Sequence, residues 1–448
     1  MNPLLPQRKP GLLLLVLLFS AWLLSLLPLN ASASGPGEGG GFTGTAASTE
    51  AAPAAGAAAS TEAAPAAGQP DGGASAAGSL DGGALAEDLA RRQADAVDLG
   101  PIEKFWSQLS EEYGGYFPEG KAPSLKQLMF PSGERWSAGQ AALGLARYFL
   151  HEVLYSGKLI VTIVLLAIFT MILETMQNAF ERNAVSKVAY AIAYMVLLII
   201  AVNSFRSATQ YAGDAIASMV QFMLAMVPLL LTLLASTGGV TTVAVLHPLI
   251  VFMIHTVGTL IHLFVFPLLF FSAVLHLVTT ISDRYKMTQL ANLLRSVGVG
   301  ALGVLLTMFL GVLSVQGATS AVADGIALKT AKFVTGNFVP VVGRMFSDAA
   351  DTVLSASLLV KNAVGLAGVV ILLFLCAFPA VKILTLAFIY NLSAAILQPL
   401  GDTPIVQCLQ TIGKTMIYVF AALAAVGLMF FLAVTIILTA GNASVMMR

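Results

Sequence analysis

The residues best suited to holding a metal ion are three histidines in one apolar stretch. His255, His262 and His276 fall on one helical face, at spacings of 7 and 14 residues, if that stretch is a single helix. At about 1.5 Å of rise per residue the first two stand about 10 Å apart, and zinc–nitrogen bonds are only about 2 Å long. They cannot share an ion, and polar side chains bonded inside a helix bundle are the simpler reading. His151-Glu152 opens like the HExxH zinc motif, but Tyr155 stands where the second histidine belongs. The chain has no GxxxxGK(S/T) phosphate loop and no GxSxG nucleophile elbow. Its two cysteines, Cys376 inside an apolar run and Cys408 near the end of another, are too few for a four-thiolate metal site. Glu174, at the end of the first long apolar run, reads as a membrane-boundary residue, with a proton relay as the alternative. Gly298-Val299-Gly300 and Gly365 read as close-packing positions between helices. No catalytic residue, cofactor site or metal site is assigned, and the chain is not read as an enzyme.

The concentration of polar groups that does stand out lies between residues 324 and 362. Asp324, Lys329, Lys332, Asn337, Arg344, Asp348, Asp351, Lys361 and Asn362 interrupt an otherwise apolar half of the chain. Charges at bilayer depth are costly unless they face protein or water. This belt therefore either lies at the membrane interface, as an amphipathic helix over about 325–345, or lines a polar cavity. It is the candidate pore or partner contact.

The elements that must position these groups follow from composition. Of 448 residues, 57% are hydrophobic and 10% charged, and 23 basic residues balance 23 acidic ones. Ordinary soluble domains carry about 25% charge. A soluble enzyme, a nucleic-acid binder working by bulk positive charge and a disordered chain are all excluded; a polytopic membrane protein fits.

Residues 1–33 read as a secretory signal peptide. Arg8 and Lys9 precede the apolar run Gly11 to Leu27, and Ala31-Ser32-Ala33 matches a small-residue cleavage site. An uncleaved anchor is the alternative, and both start the following chain outside the cytoplasm. Residues 34–86 are an Ala/Gly/Pro tether in which ASTEAAPAAG occurs twice, from Ala47 and from Ala59. Residues 87–157 regain charge and aromatics (Phe105, Trp106, Tyr113, Tyr116, Trp136) and read as short exported helices with the rings at the membrane interface.

From Lys158 onward the chain reads as an all-α membrane bundle of about 7–9 spans. Single spans are expected near 158–176, 187–204, 215–235, 296–316 and 415–439. The longer stretches 243–281 and 363–398 carry Pro267 and Pro379, and each is either a hairpin or one kinked helix. Arg182 and Lys187 follow the first span, where the positive-inside rule puts them in the cytoplasm. Placing Arg284, Lys286 and Arg295 there as well favours the hairpin for 243–281.

A tandem repeat of about 112 residues is visible, with units near 190–300 and 300–415. Residues 201–217 and 311–327 share seven identities in seventeen positions, including Thr209 with Thr319 and Asp214 with Asp324. The pairs Pro228/Pro340 and Pro267/Pro379 follow at an offset of 112. Paired repeats are common in transporters, whose substrates often bind at the repeat interface.

Several long motifs resemble one family. KTAKFVTGNFVPVVGRMFSDAADTVLSASLLVKNAVG from Lys329, AFPAVKILTLAFIYNL with QPLGD, YFLHEVLYSGKL before the first span, LHPLI from Leu246 and FLGVLSVQG from Phe309 are similar to stage III sporulation protein AE of endospore-forming bacteria. The resemblance covers roughly 100–448; the tether at 34–86 departs from it. It implies a multi-pass protein of the mother-cell (outer forespore) membrane, described as permease-like. It further implies a secretion-like channel complex with other mother-cell stage III sporulation membrane proteins, joined to a forespore membrane partner and needed for late forespore gene expression. A purely structural scaffold of that complex is the alternative. The implied surroundings are lipid bilayer and protein, with no nucleic acid, and no catalytic residues come with the family.

Overall fold

The computed structural model describes residues 82–117, 122–130, 138–179, 184–281, 287–338, 342–401 and 403–446. The signal segment, most of the tether, Trp136, Arg284, Lys286 and Pro340 lie outside the described residues. All regular structure among the described residues is helical. Four shorter helices come first: α1 (Gly82–Ala96), α2 (Gly100–Tyr113), α3 (Leu125–Met129) and α4 (Ala138–Tyr155). Then follow α5 (Gly157–Ala179), α6 (Ala184–Ser236), α7 (Val240–Leu260), α8 (Phe266–Ile281), α9 (Thr288–Phe338), α10 (Val342–Leu397) and α11 (Pro404–Met446).

Among the described residues six helices are long and apolar enough to cross a membrane, where the sequence reading expects about seven to nine spans. The difference arises because stretches read as separate are continuous. The expected spans 187–204 and 215–235 form one helix, α6. The polar run between them, Phe205 to Asp214, contains no proline and is rich in small helix-compatible residues, so nothing stops the helix there.

Neither proline-centred stretch is a hairpin. Pro379 lies inside α10, and Pro228 and Pro248 lie inside α6 and α7. Pro267 is reached through a π-turn, Ile261–Val265, that joins α7 to α8 in one path. A proline cannot donate to the carbonyl four residues back, and its ring crowds that carbonyl. The wider π-turn relieves that crowding, and Phe266 N–H bonds to Ile261 O instead. The hairpin that the basic residues favoured for 243–281 therefore does not form. Arg295, counted in that basic loop, lies on α9 with its guanidinium 5.0 Å from the Tyr418 ring centre on α11.

The centre of the bundle is α10 and α11, whose apolar windows are 67% and 61% buried, against 22% for α5 and 28% for α9. They approach closely where glycine faces a side chain. A methyl group on Gly365 would strike Leu438, and one on Gly427 would lie 2.6 Å from Cys376 Sγ. Close backbone approach of this kind is how helices associate in lipid, which offers no hydrophobic drive between them. Gly365 thus has the packing role read from the sequence, and Gly298 is in ordinary contact with Leu268, whereas Gly300 faces open space.

Helices α6 and α7–α8 run antiparallel. Tyr194 Oη lies 2.7 Å from Thr280 Oγ1, Phe205 packs on Phe270 and Gly213 adjoins His262. The turn between them passes through Gly238 at φ +91°, a left-handed conformation that favours glycine. Here too a side chain would collide, with Leu328 of α9.

The first four helices lie against α10 and α6. Ser357 Oγ donates to Gln93 Oε1 at 3.2 Å, Tyr113 stacks on Phe378 with ring centres 4.0 Å apart, and Phe149 meets Phe388 edge-on. Phe105 packs on Phe222 of α6, and Trp106 is buried with Nε1 donating to Pro123 O at 2.7 Å. These aromatics therefore point into the helical body. Amphipathic periodicity explains why: Ile102, Trp106 and Leu109 face inward, and Glu103, Lys104, Ser107, Gln108, Glu111 and Glu112 face outward.

Candidate functional site

Among the belt residues whose side chains are described, the two buried charges, Asp324 and Lys361, have separate partners. Asp324 is 2% exposed on α9, and its two carboxylate oxygens accept from Thr241 N–H at 2.8 Å and Thr242 N–H at 3.0 Å. Those donors are the first turn of α7, whose cap residue Gly239 has no side chain to satisfy them. A carboxylate at a helix N-terminus is favoured both by the free N–H groups and by the helix dipole. Lys361, on α10, is fully buried and donates to Leu438 O at 3.1 Å and Asn442 Oδ1 at 3.0 Å near the end of α11. Gly441 makes the room, since a methyl there would collide with the ammonium. Leu234 of α6 reaches both Gly239 and Gly441, so the two charges lie at the same end of the bundle. They do not pair with each other: each holds a helix end.

The other belt residues are elsewhere. Lys329 and Asn362 are exposed, and Asp351 is half-buried. Lys332 and Asn337 fall on the last turns of α9, and Arg344 and Asp348 on the first turns of α10; their side chains lie outside the described ones. The matched aspartates of the repeat have opposite surroundings, Asp214 exposed and Asp324 buried.

Among the histidines, His276 Nδ1 contacts Ser272 O at 2.8 Å inside the bundle, as read from the sequence, whereas His255 and His262 face outward. His151 Nδ1 lies 2.9 Å from Tyr116 Oη, within an aromatic cluster that joins α2 and α4 to α10. Burial, and then the neighbouring Glu112, raises the Tyr113 phenol above its ordinary value; burial and Glu152 raise that of Tyr148. Among the described residues no group of His, Cys, Asp and Glu side chains could hold a metal ion.

A second polar feature escaped the sequence reading. Along α6, Asn203, Arg206, Gln210, Asp214 and Gln221 are all exposed. At 100° per residue these positions fall within a sector of about 80°. The exterior of α6 is apolar before them (Val188, Ile192, Met195, Ile199), and no large apolar residue is exposed between Asn203 and Ser236. Next to the stripe, Lys382 of α10 places Nζ 4.5 Å from the Tyr211 ring centre. Gly213 adjoins the exposed His262 of the π-turn, which stands beside the exposed Leu263 and Phe264.

On another side of the bundle, α9 exposes Leu293, Val297, Val304 and Met308 over its first half, and Val315 and Val322 beside Ser314, Gln316 and Thr319 further on. The two faces share a level. Met219 of α6 reaches Gly427 of α11, and Leu302 and Leu306 of α9 line a small gap with Ala422 and Ala425 of that helix. At one height, then, the bundle is polar outside α6 and apolar outside α9. The sequence signal was present as polar residues at helical spacing, but the run fell across two expected spans, 187–204 and 215–235.

The family model for stage III sporulation protein AE matches residues 123–441. The chain belongs to the stage III sporulation protein AE family. It is 56% identical over 364 residues to the stage III sporulation protein AE of Bacillus subtilis (strain 168), a match covering 81% of this chain and 91% of that protein. No solved structure matches the chain. The matched region runs from before α5 to Gly441 of α11 and includes the α6 stripe.

Proposed function

We propose that this chain is a membrane subunit of the mother cell–forespore channel apparatus needed for late forespore gene expression, and that it forms part of the wall of a passage. Its setting in this reading is the mother-cell (outer forespore) membrane, with the amino-terminal helices exported. Its partners are other mother-cell stage III sporulation membrane proteins and, through them, a forespore membrane protein. In this reading it works without catalysis, as the family resemblance implies.

The observation that carries the conduit reading is the shared level of two unlike exteriors, polar on α6 and apolar on α9. A helix facing lipid on all sides has no use for Asn203, Arg206, Gln210, Asp214 and Gln221 in one sector, because polar and charged groups at that depth are costly. Water or protein on the α6 side, with lipid on the α9 side, removes that cost.

The scaffold reading has its own support in Asp324 and Lys361, which hold helix ends. One experiment separates the two. In sporulating cells, the combined replacement Gln210→Leu, Asp214→Leu and Gln221→Leu is expected to abolish late forespore gene expression while protein level and membrane insertion stay normal. A scaffold would tolerate an apolar exterior there, so an abundant, fully sporulating variant overturns the conduit reading.

A further inference from the structure

We infer that α9 and α11 form a binding site for one anionic phospholipid, its phosphate held by Arg295 and Lys414 and an acyl chain laid in the apolar crevice beyond them. The site lies apart from the α6 stripe, so the inference does not depend on the conduit reading. Three observations lead to it.

First, two cations stand near each other without an internal anion. Arg295 of α9 is half-buried, donates to Asn292 Oδ1 and lies 5.0 Å from the Tyr418 ring centre of α11. Lys414 is exposed one helical turn before Tyr418, about 6 Å along the axis. Among the described residues neither cation has an ion-pair partner. Helices α7, α8 and α11 contain no Asp or Glu, and the one carboxylate of α9, Asp324, is committed to the start of α7. The acids nearest in sequence, Asp283 and Asp402, lie outside the described residues. A half-buried guanidinium without a counter-charge is costly, and an anion from outside offsets that cost. Its remaining N–H donors form a planar fork that matches phosphate oxygens.

Second, an apolar crevice starts at the same tyrosine. Tyr418 lines a small gap with Val299, Gly303 and Leu306 of α9, Ala421 and Ala425 of α11 and Val265 of the π-turn. Gly303 leaves it open, since a methyl group there would meet nothing within 4 Å. From Arg295 to Leu306 is about 16 Å along α9. One leaflet of a hydrocarbon core about 30 Å thick has nearly that depth. Val304, next to Gly303, is exposed and apolar, as a surface beside acyl chains requires.

Third, charge and crevice come in the order of a phospholipid. Thr280, at the end of α8, meets Tyr194, near the start of α6, so α9 begins at the end of the bundle where α6 begins. With the amino-terminal helices exported, that end faces the cytoplasm, the side on which basic residues gather. The cations therefore stand at headgroup level and the crevice leads from them into the hydrocarbon. Basic pockets between apolar helices on this side suit anionic headgroups. A soluble phosphate would use the cations and leave the crevice without a role.

The test uses the full chain purified in an uncharged detergent. Native mass spectrometry counts the phosphatidylglycerol molecules that stay bound, with phosphatidylcholine of the same acyl chains as the zwitterionic control. The unaltered chain is expected to retain one phosphatidylglycerol and to release phosphatidylcholine. Arg295→Gln and Lys414→Gln should each weaken retention about fivefold, the usual effect of one cation near an anionic surface. Gly303→Leu keeps both charges but fills the crevice, and it should weaken retention severalfold as well. Lys187→Gln removes an exposed lysine near the start of α6 and should leave retention unchanged. Equal retention of the two lipids, or an equal loss in Lys187→Gln and Lys414→Gln, would mean diffuse attraction and overturn the site. Glycerol 3-phosphate that displaces the lipid, together with full retention by Gly303→Leu, would mean a soluble-phosphate site and overturn the lipid as occupant. Because Lys414 is exposed, Lys414→Gln leaves packing intact and decides the matter even where Arg295→Gln loosens α9 from Tyr418.

Discussion

Asp324 caps a helix to which it does not belong: from α9 its carboxylate reaches the backbone N–H of Thr242, 3.0 Å away, at the start of α7. The second oxygen takes Thr241 in the same way. A residue 82 positions along the chain thereby fixes how α6, α7 and α9 meet.

Asp324→Ala should destabilise the purified protein by about 0.5–2 kcal/mol, the usual range for losing a helix cap. Asp324→Asn should cost less, because an amide oxygen still accepts one bond, although the charge at the helix N-terminus is lost. Thermal unfolding in detergent reads both, and equal melting of Asp324→Ala and the unaltered chain would remove the cap from the account.

Lys361→Ala leaves Asn442 Oδ1 without its buried donor and opens space beside Gly441. An unmade buried hydrogen bond costs about 1–3 kcal/mol. The end of α11 is expected to become a new site of proteolysis. Gly441→Ala should produce the same cleavage by pushing the ammonium away, although it leaves Lys361 in place. Resistance of both variants would show that the lysine does not hold that end.

Tyr113→Ala should release the amino-terminal helices from α10, because the stack on Phe378 is lost. Aromatic pairs contribute about 0.5–1.5 kcal/mol beyond the area they bury. Tyr113→Phe keeps the stack and should behave nearly as the unaltered chain. Protease sensitivity of residues 82–155, with the rest of the chain intact, measures the release.

The same contact sets a pH dependence. Tyr113 and Tyr148 have folded-state values raised above the ordinary one near 10, so the folded state holds their protons more tightly than the unfolded state. Their contribution is fully present below about pH 10 and is lost as pH rises above it. Release of residues 82–155 should therefore begin in that alkaline range. The double variant Tyr113→Phe with Tyr148→Phe should shift its onset upward; an unchanged onset would assign the transition to other groups.

The membrane class and the helical architecture were readable from composition, because a chain with 57% hydrophobic and 10% charged residues has few alternatives. Helix continuity was not. Pro379 looks like a break, but α10 carries it through, since packing on both sides holds a helix that the proline alone would weaken. At the site, Asp324 and Lys361 were found from their charge, whereas their caps depend on chain segments 82 and 77 residues away. The α6 stripe was missed for a related reason: Asn203 and Gln221 fall in two separate expected spans with Gln210 between them, and only an unbroken helix turns the three to one side.

The hydrogen bond between Ser357 and Gln93 joins residues 264 positions apart. During synthesis the amino-terminal helices leave the ribosome long before α10, their packing partner, exists. Domains generally fold as they emerge, but α1 and α4 lack their surface on α10 until most of the apolar helices are inserted, and α2 has only its contact with Phe222 of α6 before then. In the interval Trp106, Tyr113 and Phe117 are without the surface that buries them. These amino-terminal helices are thus made early and finished late, and their docking reports that α10 is in place.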